Sequence, residues 1–275
     1  MLKIYNAIAV SQEAIQTGST KPCLMTLADT NGKPIGEFVV KVFKPRNLSQ
    51  ASNTSKEIYG NILANAFDLT TPKAVLARVN QDIIDILNRS DNYKGFHLVK
   101  GTYFASEYIE NALDYSKKIH KRLNQWEIEN IFAFDVLIRN IDRHIKKPNL
   151  FFKDTEIYLI DHELCFATYL LDKSFPEMVK DKEKYWNFIE IRTEGFNKQH
   201  LFLEHLRELN KKNTVEFHTF KEYLINFDID VLDSYNQQLL DLGNDSDIYP
   251  IIKSYLTEVK NNSDLFIQLL KDLIA

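Results

Sequence analysis

Three residues, Asp142, Asn149 and Asp161, have types and spacing that could do chemistry. Asp142 lies in Asn140-Ile141-Asp142-Arg143-His144-Ile145-Lys146-Lys147-Pro148-Asn149-Leu150, just past a strongly apolar stretch. Asn149 opens and Asp161 closes a pair of short apolar runs, Leu150-Phe151-Phe152 and Ile157-Tyr158-Leu159-Ile160, with turn residues Lys153-Asp154-Thr155 between them. A hairpin over this stretch returns the chain and brings Asn149 and Asp161 near one another. Amide and carboxylate oxygens so placed suit Mg²⁺, which takes one or two carboxylates together with substrate phosphates. Asp142, on the loop leading in, is then available to accept a proton from an attacking hydroxyl. Asp161 follows four apolar residues, and a buried carboxylate is costly unless paired; a metal or Lys41 would satisfy it.

Lys41 sits in the β-branched run Val39-Val40-Lys41-Val42, and Glu57 follows 16 positions later, early in a predicted helix. A strand lysine paired with a helix glutamate, a loop aspartate, an asparagine and a second aspartate after a short hairpin match the division of labour in phosphoryl transfer. Glu57 also fits a capping box in Thr54-Ser55-Lys56-Glu57, bonding the helix-start amide, and both readings stand at this level. His144, with Arg143, is left to stabilise charge on the transferred phosphoryl group. A metal-hydrolase set of Asp142, His144, Asp161 and His162 is the weaker reading, because that class usually has adjacent His-Asp on helices and here the order is Asp-His at a strand end.

The elements that must position these groups follow from periodicity. Cys23–Leu27 and Glu37–Phe43 read as strands around an Asn31-Gly32 turn, Thr54–Phe67 as a helix, and Ala74–Val79 and Phe96–Val99 as further strands. From about Ser106 the pattern becomes helical; Gln125–Ile141 carries an apolar stripe of Ile128, Ile131, Phe132, Phe134 and Leu137. Gly243 and Pro250 punctuate the amphipathic remainder. The expected fold is α+β: a small antiparallel β-rich lobe with one helix over 1–100 and a larger helical lobe over 101–275.

Composition excludes several classes. The 275 residues carry 34 basic and 38 acidic side chains, a net charge of −4. Residues 1–100 hold 12 basic and 8 acidic groups (+4), leaving 22 and 30 (−8) beyond, and no Lys/Arg stripe with interleaved aromatics, so bulk nucleic-acid binding is not expected. No run approaches the ~18 apolar residues of a membrane helix, and the N-terminus lacks signal-peptide character; with only Cys23 and Cys165, read as small core residues, a cytoplasmic protein is expected. His200 and His205, five apart, read as surface residues.

The run Phe134-Asp135-Val136-Leu137 … Asp142-Arg143 … Lys147-Pro148-Asn149-Leu150 … Leu159-Ile160-Asp161-His162 resembles the HipA-like kinases, in particular their short single-domain branch, and more distantly the Asp-Arg-His motif of phosphoinositide kinases. The likeness extends over roughly residues 15–170 and includes Thr17-Gly18-Ser19-Thr20-Lys21-Pro22, similar to that family's phosphate-contacting turn. The resemblance implies a bilobal, protein-kinase-like fold forming one catalytic domain that binds Mg-ATP in a cleft. Gly18, Ser19 and Thr20 would cradle phosphate, Lys41 hold the α/β-phosphates, Glu57 orient Lys41, Asp142 act as base, and Asn149 and Asp161 hold Mg²⁺. It further implies a serine or threonine acceptor on a protein, with a translation component as substrate and an antitoxin or regulatory partner as in toxin–antitoxin members. The seven-residue spacing from Asp142 to Asn149 fits the short branch, whereas Glu163 stands where that branch tends to have Gly. Glu163 and the poor glycine loop motivate the alternatives: a nucleotide-binding pseudokinase acting through a partner, or a lipid or small-molecule kinase.

Overall fold

In the computed structural model, the Asn31-Gly32 turn joins two strands through side-chain chemistry local to it. Asp29 Oδ1 accepts the amides of Asn31 and Lys33, both at 2.9 Å, and Gly32 supplies the positive φ (78°) that the turn requires. The structure describes residues 1–14, 21–42, 52–93, 97–166, 174–180, 190–193, 196–212, 214–243 and 248–275. The chain divides into two units: Met1–Asn61 with Thr71–Asn111 and Val231–Ser246, and Ile62–Thr70 with Ala112–Asp230 and Asp247–Ala275.

The first unit is strand-rich. Its strands β1 (Ile4–Ala14), β2 (Cys23–Ala28), β3 (Pro34–Val40), β4 (Ala74–Val79) and β5 (Gly101–Glu107) are accompanied by α1, which begins at Asn53 and runs to Ala66, and α2 (Gln81–Arg89). In place of the expected antiparallel sheet, these strands form a closed barrel in the order β1-β2-β3-β5-β4. The seam is a parallel pairing, Ile4 opposite Leu76 and Asn6 opposite Arg78. Closure leaves no open edge, and the interior fills with Met25, Leu27, Phe38, Val40, Val75, Ala77 and Ala105. β1 is weakly patterned, with Ala7 buried and Ile8 exposed within an Ala-rich run, so the residues 1–14 carry little strand signal.

The strand expected at Phe96–Val99 lies elsewhere. Phe96 falls outside the described residues, and His97–Lys100 is irregular. Asn88 claims both main-chain groups of Leu98, its amide donating to the Leu98 carbonyl and its oxygen accepting the Leu98 amide, each at 3.1 Å. Those are the groups a strand would have paired, and β5 begins only at Gly101. The distant helix Val231–Asp241 also belongs to this unit: Gln238 bonds both main-chain groups of Leu2 (2.8 and 2.7 Å), and Tyr59 donates to Asn236 at 3.0 Å.

The second unit is mainly helical. After β6 (Leu113–Asp114) and the single-turn α3 (Lys117–His120) comes α4 (Gln125–Leu137). Asn124 and Glu127 form a reciprocal capping box at its start. Every residue from Asn130 to Leu137 is buried, so this part of α4 is enclosed around its whole circumference and acts as the unit's central rod. Around it pack aromatics from distant segments, among them Phe67 stacked on Phe220 with ring centroids 4.9 Å apart. The strands β7 (Leu150–Lys153) and β8 (Glu156–Leu159) form the expected hairpin, with Leu150 opposite Leu159 and β6 alongside β7. Helices at Leu203–Asn210, His218–Asn226, Tyr249–Asn261 and Ser263–Leu273 complete it. Cys23 and Cys165 are both buried, and burial pushes the Cys23 thiol up to about 11. No helix among the described residues is long and apolar enough to cross a membrane.

Candidate active site

In the first unit, the site residues are Lys41 and Glu57. Lys41 directly follows β3, and its amide donates to Phe104 of β5 at 3.1 Å, which fixes the main chain against the barrel. Flanking Val40 and Val42 are buried, and Lys41 itself is 9% exposed. Its ammonium donates to Glu57 Oε1 from α1, a residue only 1% exposed. Of the two sequence readings for Glu57, the carboxylate is thus seen to engage Lys41. An ion pair so enclosed is maintained only with good geometry, because each partner alone would be an uncompensated buried charge. Gly18, Ser19 and Thr20 lie outside the described residues.

In the second unit, the loop after α4 is built on Asp135, a fully buried carboxylate on that helix. Asp135 Oδ1 accepts from Asn140 Nδ2 at 2.9 Å, and Oδ2 accepts from Arg143 Nε at 2.6 Å and from His200 Nε2 at 3.0 Å. Burial alone would raise its pKa, but the Arg143 guanidinium and His200 outweigh that and hold the carboxyl below its ordinary value. Asn140 passes the restraint on, since its Oδ1 accepts the Asp142 amide at 3.1 Å. Arg143 does the same with Nη1, which donates to the carbonyls of Asn149 (2.5 Å) and Pro148 (3.2 Å). Arg143, given by sequence a part in neutralising phosphoryl charge, is instead 1% exposed and clamps the loop.

That framework sets Asp142 and Asn149 side by side. Asn149 Nδ2 donates to Asp142 Oδ2 at 3.4 Å. At the other end of the hairpin, the Ile160 amide donates to the Asn149 carbonyl at 3.1 Å, which puts Asp161 next to the Asn149 strand. Asn149 (φ 51°) and Asp161 (φ 64°) both adopt the left-handed conformation, which Asn and Asp tolerate better than most residues. Lys147 links the group: its ammonium donates to Asp142 Oδ2 and lies 2.9 Å from Asp161 Oδ2. Burial pulls the Lys147 pKa down, but the two carboxylates outweigh it and hold the ammonium above its ordinary value. His144 is at the margin, its Nε2 4.0 Å from Asp142 Oδ1; its main chain bridges to Lys147 and His200.

The structure therefore brings Asp142 and Asp161 to one ammonium, with Asn149 hydrogen-bonded to Asp142 and His144 beside them. Their oxygens form the hard, anionic donor set that Mg²⁺ takes, so the residues present fit that ion. Four participants carry no assigned role in the sequence reading. Asp135 had a usable signal, a carboxylate inside an otherwise apolar helix, which must find a partner. Asn140 and Lys147 stand within the motif but match none of the template roles. His200, expected at the surface, is 8% exposed and pairs with Asp135 across 65 positions, a contact no local pattern announces. Nearby, His205 hydrogen-bonds His120 (3.0 Å), which in turn hydrogen-bonds Tyr115 (2.5 Å).

A strand barrel with a buried Lys–Glu pair and a helical unit bearing the Asp–Asn–Asp loop are parts that a kinase-like phosphotransferase requires. The HipA-like kinase family model matches residues 8–188, well over half of the chain, and the chain belongs to the HipA-like kinases. Among solved structures, it is similar to the Helicobacter pylori proinflammatory kinase CtkA, with a TM-score of 0.51 and 12% identity, covering 100% of this chain and 98% of that one. At that identity the likeness concerns the fold alone. A search of curated proteins returned no match.

Proposed function

We propose that the chain is a Mg-ATP-dependent kinase that phosphorylates a serine or threonine hydroxyl on a protein, its two units serving as the lobes of one bilobal catalytic domain. The observation that carries this reading is the meeting of Asp142 and Asp161 at the Lys147 ammonium, with Asn149 hydrogen-bonded to Asp142, in a member of the HipA-like kinases. Lys41, oriented by Glu57, holds the α/β-phosphates, and Gly18, Ser19 and Thr20 are the proposed phosphate contacts. Asn149 and Asp161 hold Mg²⁺, which when bound offsets charge on the transferring phosphoryl group. Asp142 accepts the proton as the acceptor oxygen bonds to the γ-phosphorus and the bond to the β-bridging oxygen breaks, leaving ADP. His144, whose Nε2 is 4.0 Å from Asp142 Oδ1, steadies charge on the moving group. A translation component as substrate, an antitoxin or other regulatory partner, and a cytoplasmic setting extend the family resemblance to this chain.

Phosphate transfer from γ-labelled ATP, with calorimetry of ATP binding with and without Mg²⁺, tests the reading. Asp142→Ala should lower transfer by roughly 10²–10⁴-fold, the usual worth of a general base, while ATP still binds. Asp161→Ala should remove the Mg²⁺ dependence of ATP binding, and an unchanged magnesium response in that variant counts against the assignment. ATP binding by the wild type with no transfer, to itself or to candidate substrates, would favour a pseudokinase. Glu163, buried at 3% exposure two residues past Asp161, is the feature that motivates that outcome.

A further inference from the structure

The Lys147 ammonium reaches two carboxylates with opposed duties. Asp142 Oδ2 and Asp161 Oδ2 both contact Nζ, although one is assigned to the acceptor hydroxyl and the other to metal. Two carboxylates brought to one point repel unless a cation stands between them, and Lys147 supplies it. The rest of the residue is built for a charge that can leave. Its main chain is pinned by two hydrogen bonds to His144, 2.9 and 3.1 Å, while its side chain remains 29% exposed on a flexible four-carbon stem. Arg143 cannot substitute, since its guanidinium is committed to Asp135 and the Pro148 and Asn149 carbonyls.

We propose that Lys147 is a built-in competitor of the divalent cation: its ammonium takes the Asp161 oxygen that the metal requires, and metal loads by displacing it. A divalent ion entering beside a retained ammonium would place three positive charges against two carboxylates, so the lysine must swing out towards solvent or an anion. A polyphosphate arriving with the metal offers that anion, and the site therefore takes a metal–nucleotide complex in preference to free metal. The inference rests on the reading of Asp161 as a metal ligand.

Mn²⁺ binding followed by electron paramagnetic resonance, without nucleotide, separates the two. The wild type should bind Mn²⁺ weakly, and Asp161→Ala should abolish that binding. Lys147→Gln should bind Mn²⁺ alone about tenfold tighter or more, the effect of one like charge removed at a partly buried site. Lys147→Arg, which keeps the charge, should stay near the wild type and checks that the loop is intact. Adding a non-hydrolysable ATP analogue should tighten Mn²⁺ binding more in the wild type than in Lys147→Gln. Wild-type binding lost in Asp161→Ala but unimproved in Lys147→Gln overturns the competitor role and leaves the ligand reading standing. Mn²⁺ binding unaffected by Asp161→Ala, or absent from every variant, overturns both.

Discussion

Removing the Asp135 carboxylate strips the loop after α4 of its anchor, and the cost can be worked from its contacts. Asp135 and Arg143 have 0% side-chain exposure, and the same carboxylate takes Asn140 and His200. Asp135→Ala leaves a guanidinium buried without its counter-charge, which costs about 3–5 kcal/mol. At roughly 2–4 °C per kcal/mol for chains of this size, the thermal midpoint should fall on the order of 10 °C. Asp135→Leu with Arg143→Met removes both charges together and should recover much of the loss, because apolar replacement of a buried pair is often neutral. It should not recover phosphate transfer, since Arg143 also holds the Asn149 and Pro148 carbonyls. Circular-dichroism melts with parallel transfer assays read both outcomes. A single variant within about 1 kcal/mol of wild type, or a double variant no more stable than the single, would refute the reasoning. The pH dependence has a definite sign. The folded carboxyl titrates below its ordinary value of 3.8, so its stabilisation is fully present above that pH and is lost as pH falls through the lower folded value.

Three further outcomes are expected. Glu57→Ala should destabilise the barrel unit by an amount approaching that of Asp135→Ala and weaken ATP binding; Lys41→Met added to Glu57→Leu should restore the melt but not the affinity measured by calorimetry. Asn124→Ala, which opens the capping box of α4, should cost about 1 kcal/mol in urea unfolding. Burial, with His205 adding to it, holds His120 below its ordinary 6.5, so the unfolded chain takes up that proton first as pH falls. Stability should therefore drop as pH falls through 6.5 towards the lower folded value, and melts of His120→Phe over the same range should show a shallower slope.

What the sequence discloses here depends on the range of the interaction. The β7–β8 hairpin, α1 and α4 are written in local periodicity and turn residues, and Lys41, Glu57, Asp142, Asn149 and Asp161 could be singled out because each sits at a predictable end or face of such an element. Closure of the barrel could not be read, because β1 and β4 meet across some seventy residues and an Ala-rich strand announces no partner. The false strand at His97–Val99 shows a side chain defeating propensity, since Asn88 occupies the main-chain groups that pairing needs. His200 was hidden for a similar reason: its partner on α4 is 65 positions away. Asp135 was the missed opportunity, its chemistry visible wherever the burial of a charge is treated as a question.

The left-handed main chain at Asn149 and Asp161 has a practical corollary for anyone mutating this loop. Alanine at either position would delete an oxygen and also force a side chain with a Cβ but no local hydrogen bond into a torsion it resists, confounding two injuries in one readout. Exchanging amide for acid, Asn149→Asp or Asp161→Asn, keeps the torsional tolerance and the shape while changing charge and donor character. Run beside Asp161→Ala, such swaps separate loss of the oxygen from strain in the main chain.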